Sequence, residues 1–314
     1  MKYNNVTIKG TSSYLPKKIL TNQEISKKID TTDEWIYKKL GIKERRISSE
    51  LESVSDMGYN AATLVLRDAN MNKEDIDMII VATSSPEKIS PSTACTIHKK
   101  LGINRDIPTF DINAVCSGFV YALTIGSSLV SSGAYKNIMI IASESYSKHT
   151  DFTDRHCVFF GDGAGAIIIG ESEKGWIYSK IKSNGSGTGM SGFIMPLNSP
   201  FIMKGKEVWD QAIKVLPDSI NEVLEETHLT IDDISMVVPH QPSINILKII
   251  AEKNKIPFNK VKTVMDKYAN IAGASIPIAL DESIKNKEIK KGEKILLTAI
   301  GSGWTWGSLV INYE

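Results

Sequence analysis

The chain repeats itself once, at half its own length. Asp75-Ile76-Asp77-Met78-Ile79-Ile80 returns as Asp233-Ile234-Ser235-Met236-Val237-Val238, an offset of 158 from Ile76 to Ile234. Ile138-Met139-Ile140-Ile141-Ala142 returns as Ile295-Leu296-Leu297-Thr298-Ala299, an offset of 157 from Ile138 to Ile295. Repeats of about 20–50 residues build solenoids, whereas one repeat at half of 314 residues predicts two similar halves packed on each other. Both repeated segments are short, continuous apolar runs, the pattern of strands buried on both faces. Further strands are predicted at 165–170 and 307–312, with helical periodicity between the runs, so the class is α/β. No Pro/Gly/Ser-rich linker or charge run divides the halves. The reading is one compact body, split into 1–172 and 173–314, with a ligand site at the junction.

Helical spacing is clearest at Val208, Ala212, Val215, Leu216, Ile220 and Val223, and again at Met57, Ala61, Leu64 and Val65 behind Ser55 as N-cap. Thr31-Thr32-Asp33-Glu34 reads as a capping box opening the helix that carries Trp35. Charge is balanced, 37 Lys and Arg against 36 Asp and Glu. That argues against an electrostatic grip on nucleic acid or anionic membrane over the whole surface. No apolar run approaches the roughly 18 residues of a bilayer span. The opening residues carry no signal-peptide core, and three cysteines make no disulfide framework. A cytoplasmic protein is expected.

Cys116 lies in Phe110-Asp111-Ile112-Asn113-Ala114-Val115-Cys116-Ser117-Gly118-Phe119, where a strand ends and an apolar helix begins. A helix N-terminus favours thiolate, although a lone cysteine also serves as a small buried hydrophobe. His240 closes the strand Val237-Val238-Pro239, at the place where the first half has Ala82. It is either a satisfied strand-end histidine or a functional one. Asn270 precedes a small-residue helix, as a turn residue would. Gly301-Ser302-Gly303-Trp304-Thr305-Trp306-Gly307 reads both as a tight hairpin and as a source of backbone N–H groups close to a ligand. Gly161-Asp162-Gly163-Ala164-Gly165-Ala166 leads into a strand rather than from strand to helix, so it is no dinucleotide loop. Neither CxxC nor HExxH occurs, so no metal site is read.

Together with Thr32 to Ile36, Gly41 to Arg45, Thr153-Asp154-Arg155 and Phe160 to Ala166, these segments make the chain resemble the beta-ketoacyl-ACP synthase III family of the thiolase superfamily over its whole length. The resemblance implies a five-layer αβαβα sandwich of two duplicated halves, and a homodimer. It implies that Cys116 takes an acyl group from acyl-CoA, with the backbone N–H groups of Cys116 and Ser302 as oxyanion hole. His240 and Asn270 then stabilise the enolate formed when malonyl-ACP loses carbon dioxide. CoA and acyl-carrier-protein thioesters are substrates, and no cofactor or metal is implied. Trp35 and Arg155 match positions that sandwich the CoA adenine, and Lys39 replaces a neighbouring family arginine.

The chain departs from the family at Pro242-Ser243, where Ala-Asn is usual, and at Asn245 and Asp210, where carrier-docking cations stand. The loop from Gly187 to Pro200 is also shorter. These changes leave open a pathway-specific relative that transfers acyl groups to a hydroxyl or amine, or that extends with a CoA thioester. Ser90 stands where short-chain members place a phenylalanine that closes the partner's acyl pocket. Primers longer than acetyl are therefore expected, unless Trp209, at another wall position, fills the space.

Overall fold

The computed structural model describes residues 1–187, 192–196 and 199–314; the stretch expected to form the shortened loop lies partly outside them. The repeat is expressed as one ladder built twice. Met78–Ala82 pairs in parallel with Thr109–Ile112 and Asn137–Ser145, and Met236–Pro239 pairs in parallel with Lys294–Gly301. Met78 lies opposite Ile138, and Met236 lies opposite Ile295. The two sequence offsets thus bring equivalent residues into equivalent registers.

One long strand, Asp162–Ser183, joins the two ladders into an eight-stranded sheet. Its first part pairs antiparallel with Asn137–Ser145, and its last part with Thr305–Asn312. Lys2–Tyr14 runs antiparallel along it, and the register jumps between Val6 opposite Glu171 and Asn4 opposite Trp176. Residues 172–175 bulge out at that jump, and the division expected after 172 falls inside the bulge. Sequence reading had confined this strand to 165–170.

Alternation along the strands generates the layers. Ile80, Ala82, Ile138, Ile140, Val238, Ile295 and Leu297 point inward, onto Phe119 and Leu123 of helix Gly118–Ser131 and onto Ile276 and Leu280 of helix Ser275–Lys285. Their neighbours Ile79, Val81, Met139 and Ile141 face Met57, Ala61, Val65 and Ile97 of the outer helices Val54–Asp68 and Thr93–Leu101. In the second half Val237 and Leu296 face Ala212, Leu216, Ile220 and Ile246 of Gly205–Glu226 and Ile244–Lys253. The order is helix, sheet, helix, sheet, helix. Helix Gly118–Ser131 touches strands of both halves and is apolar all round, as a central layer requires. Leu123 is fully buried, and truncating such a side chain to alanine costs about 2–5 kcal/mol.

Two caps sit differently from expectation. Helix Val54–Asp68 is capped by Ser53, whose side chain and Asp56 form the reciprocal box, and not by Ser55. Helix Asp33–Leu40 is capped by Thr32, whose hydroxyl accepts from Trp35 N–H at 3.1 Å, so the expected Thr31–Glu34 box is not formed. No helix among the described residues is long and apolar enough to cross a membrane.

Candidate active site

Cys116 is delivered by a strained junction. Strand Thr109–Ile112 ends, a short turn spans Val115–Ser117, and helix Gly118–Ser131 follows. Val115 has φ 50°, a left-handed conformation that a β-branched residue adopts only when its surroundings force it. Gly118 packs closely on Ala82, since a Cβ there would sit 3.3 Å from Ala82 Cβ. Burial is the largest influence on the thiol and pushes it up, the nearby Glu144 adds to the shift, and Cys116's own N–H opposes it weakly. The resting group is therefore a thiol, although the sequence position pointed to thiolate. Cys157 is buried near Arg45 and Cys95 is exposed beside Thr109. Neither lines the cavity that Cys116 opens into.

The hairpin between Lys294–Gly301 and Thr305–Asn312 packs onto this junction. Ser117 Oγ donates to Ala114 O at 2.8 Å, and Thr305 Oγ1 donates to the same oxygen at 3.1 Å. Gly301 lies so close that a Cβ would meet Thr305 Oγ1 at 2.9 Å and Cys116 N at 3.0 Å. The glycine segment is the expected hairpin, and Gly301 brings it against the Cys116 backbone. Ser302 lines the cavity, and its hydroxyl donates to Phe193 O at 2.6 Å.

The second half supplies His240 and Asn270, both buried. His240 follows strand Met236–Pro239, and its N–H donates to Thr298 O at 2.8 Å. Burial drives its imidazole down to about 4, with the Ala272 backbone pulling the other way. It is neutral at pH 7. Gln241 fixes the turn beneath it: its Nε2 donates to Pro239 O at 2.9 Å and Lys262 O at 3.1 Å, while its Oε1 accepts from Val264 N–H at 3.0 Å. Asn270 Oδ1 accepts from Ala272 N–H at 2.8 Å, which leaves the amide nitrogen as the end able to donate to a ligand. Ala269 at φ 57° and Ala272 at φ 41° flank it, so strain surrounds Asn270 as it adjoins Cys116.

One cavity of about 350 Å³ gathers Cys116, His240, Asn270, Ser302, Trp209, Trp35 and Lys39. Its inner surface is apolar, with Tyr146, Phe160, Phe193 and Met203 beside Cys116. Arg155 lies outside the lining, at the mouth, its guanidinium 4.4 Å above the Trp35 ring. That is the spacing of one stacked contact, so a base can enter between them only if Arg155 withdraws. Ser90 is exposed and does not line this chain's cavity. Asn245 lines the mouth and donates to Lys39 O at 2.9 Å, while Asp210 is paired with Lys206.

Sequence reading missed Glu144. Its carboxylate is fully buried and accepts from Ser84 N–H at 3.1 Å, Ser84 Oγ at 3.0 Å and Ser85 Oγ at 2.5 Å. Burial nevertheless raises it to about 7. A charged residue inside the apolar run Ile140-Ile141-Ala142-Ser143-Glu144 was the available signal. The aromatic wall at Phe193 was also missed, since nothing in local sequence assigns that residue to a cavity. No cluster of three or more His, Cys, Asp or Glu is arranged to hold a metal ion among the described residues.

The chain is similar in sequence and fold to known proteins. Residues 110–185 match the family model described as 3-oxoacyl-[acyl-carrier-protein (ACP)] synthase III, and residues 224–313 match its C-terminal counterpart. The beta-ketoacyl-[acyl-carrier-protein] synthase III of Clostridium acetobutylicum is 42% identical over 324 residues, covering 99% of both chains. That of Aquifex aeolicus is 43% identical, covering 97% of this chain and 98% of its own. The crystal structure of 3-oxoacyl-[acyl-carrier-protein] synthase III from Aquifex aeolicus superposes with a TM-score of 0.95 at 42% identity, covering 98% of this chain and 100% of that one. The priming beta-ketosynthase of the R1128 polyketide pathway superposes at 0.92 with 28% identity, covering 98% and 96%. By fold and sequence, the chain belongs to the 3-oxoacyl-[acyl-carrier-protein] synthase III family.

Proposed function

We propose that the enzyme transfers an acyl group from acyl-CoA to Cys116 and condenses it with malonyl-ACP, giving 3-oxoacyl-ACP. The observation that carries the reading is the convergence of a cysteine from the first half with a neutral histidine and an oriented asparagine from the second, in one apolar cavity. Cys116 Sγ attacks the thioester carbonyl, the carbon–sulfur bond to CoA breaks, and CoA leaves as the thiol with the cysteine's proton. In this reading the backbone N–H groups of Cys116 and Ser302 donate to the oxyanion of this step. In the second step malonyl-ACP loses carbon dioxide, and the electron pair of that carbon–carbon bond becomes an enolate. His240 and Asn270 donate hydrogen bonds to its oxygen, and a neutral imidazole can donate without first yielding its proton. The enolate carbon attacks the acyl-Cys116 carbonyl, the Cys116 carbon–sulfur bond breaks, and the thiol is restored by protonation. Decarboxylation supplies the carbanion, so Glu144 is not needed as a base.

In this reading Trp35, Lys39 and Arg155 receive the CoA nucleotide, with Arg155 moving off Trp35. The reading carries with it the cytoplasmic homodimer that the resemblance implies. Intact-protein mass spectrometry after incubation with a panel of acyl-CoAs tests the first step. One acyl mass on the Cys116 peptide is expected, and none in Cys116→Ala. An adduct on Cys95 or Cys157 would sink the assignment. Carbon dioxide release from malonyl-ACP tests the second step, and its absence with acylated enzyme would convert the reading to simple acyl transfer.

A further inference from the structure

We propose that Glu144 is a positioning residue of the condensation step: its buried carboxylate is a fixed floor under the turn Ala272–Ala274, and through that turn it keeps His240 and Asn270 in place. The inference rests on the condensing function proposed above, since it concerns the step assigned to that pair. Glu144 does not line the cavity, so it reaches the reaction only through other residues. Both members of the pair depend on one of them. Asn270 Oδ1 accepts from Ala272 N–H at 2.8 Å, and the Ala272 backbone also interacts with the His240 imidazole. Ala272 is left-handed at φ 41°, a conformation that persists only where the surroundings enforce it. The next residue shows what the turn lies on. A Cβ on Gly273 would stand 3.5 Å from Glu144 Oε1 and 3.2 Å from Val115 O. The turn therefore rests on the carboxylate on one side and on the backbone beside the nucleophile on the other.

The floor is rigid because its donors leave the carboxylate no freedom to turn. Ser84 N–H donates to both oxygens, at 3.1 and 3.2 Å, Ser84 Oγ donates to Oε1 at 3.0 Å, and Ser85 Oγ donates to Oε2 at 2.5 Å. Hydrogen bonds to an ionised oxygen are roughly twice as strong as neutral ones. Ser85 Oγ in turn accepts from Ser145 N–H at 2.9 Å. Thr83 N–H donates to Ile112 O at 3.1 Å, which ties the same loop to the strand that delivers Cys116. A buried carboxylate costs more than an apolar side chain of similar volume, so stapling one loop does not by itself account for it. What sets Glu144 apart is the contact with Gly273. Cys116 has supports of its own, in the Ala114 carbonyl bonded by Ser117 and Thr305 and in the close approach of Gly301. The side chains of His240 and Asn270 lean on Ala272 instead. Loosening Glu144 displaces that pair more than the nucleophile.

The test uses the full-length enzyme and reads the two steps separately. Acylation of Cys116 by acyl-CoA is followed by intact mass, and carbon dioxide release from malonyl-ACP is followed with enzyme already acylated. Glu144→Ala removes the floor, Glu144→Gln keeps its length and one accepting oxygen, and Ser85→Ala removes one donor while leaving the carboxylate. In Glu144→Ala, acylation should stay within about threefold of the unaltered rate while kcat for carbon dioxide release falls about a hundredfold, the cost of a misplacement near 1 Å. The KM for malonyl-ACP should change little. Glu144→Gln and Ser85→Ala should show the same split at smaller size, and they carry the test alone if Glu144→Ala does not fold. Equal losses in both steps, tracking the fall in Tm across the variants, would mark a carboxylate that only staples the fold and would overturn the inference. Carbon dioxide release at the unaltered rate in every folded variant overturns it too. If the unaltered, acylated enzyme releases no carbon dioxide at all, the condensing function itself fails and the inference falls with it.

Discussion

Gly301→Ala isolates the coupling between the C-terminal hairpin and the nucleophile. The added Cβ would stand 2.9 Å from Thr305 Oγ1 and 3.0 Å from Cys116 N, and would collide with the Ala114 carbonyl. Two of these neighbours are backbone and cannot rotate away, so the hairpin must back off from Cys116 by several tenths of an ångström. Overpacking of this kind costs about 1–3 kcal/mol of stability, which for a chain of this size lowers Tm by only several degrees. The catalytic loss should be larger, because displacing an oxyanion donor lowers rate by about 10²–10³. The two effects separate in one pair of assays: differential scanning calorimetry for Tm, and rapid-quench mass spectrometry for the rate of Cys116 acylation. A variant with near-native Tm and an acylation rate down by about 10² or more is expected. Undiminished acylation would refute the coupling and, with it, the hairpin's part in the oxyanion hole.

Three further outcomes are expected. His240→Ala and Asn270→Ala should still trap the acyl-enzyme but release carbon dioxide from malonyl-ACP about 10²–10³ more slowly; failure to acylate with normal condensation from pre-acylated enzyme would reverse the roles. His240 also makes a pH signature. Its folded value lies near 4 and its ordinary value is 6.5, so between them the unfolded chain binds the extra proton and stability falls as pH drops through that window. His240→Gln should flatten the decline in urea midpoint between pH 7 and pH 4.5, and an equal slope in both proteins would contradict a buried neutral imidazole. Asn245→Arg should lower KM for malonyl-ACP in a salt-sensitive way, whereas an unchanged KM would mean that the carrier docks elsewhere or that the extender is a CoA thioester.

How much of this was legible depended on whether a feature is local or arises from packing. The repeated strands were legible because parallel strands buried on both faces leave continuous apolar runs, and the two offsets predicted equal registers. The long strand was cut short because Ser172-Glu173-Lys174-Gly175 reads as a turn, although the chain only bulges there and resumes the same direction. Caps erred by one or two residues, as with Ser53 and Ser55, since neighbouring serines offer equivalent hydroxyls and tertiary packing chooses between them. Cys116, His240 and Asn270 were each ambiguous alone. Their meeting is a property of two halves packed face to face, which only the resemblance anticipated. Glu144 and Phe193 escaped because their surroundings come from packing: hydroxyl and amide donors from Thr83, Ser84 and Ser85 for one, and the rings of Tyr146, Phe160 and Phe201 for the other.

The strand Asp162–Ser183 has a mechanical consequence. Because a single segment is hydrogen-bonded into both ladders, the halves have no hinge between them, and the nucleophile cannot be uncovered by domain opening. A thioester carried on a protein must then be served by threading: a slender tether reaches from the mouth at Trp35 to Cys116 while its carrier stays outside. In such a frame access to Cys116 depends on a flexible arm passing the side chains at the rim, not on a rigid-body movement of the halves.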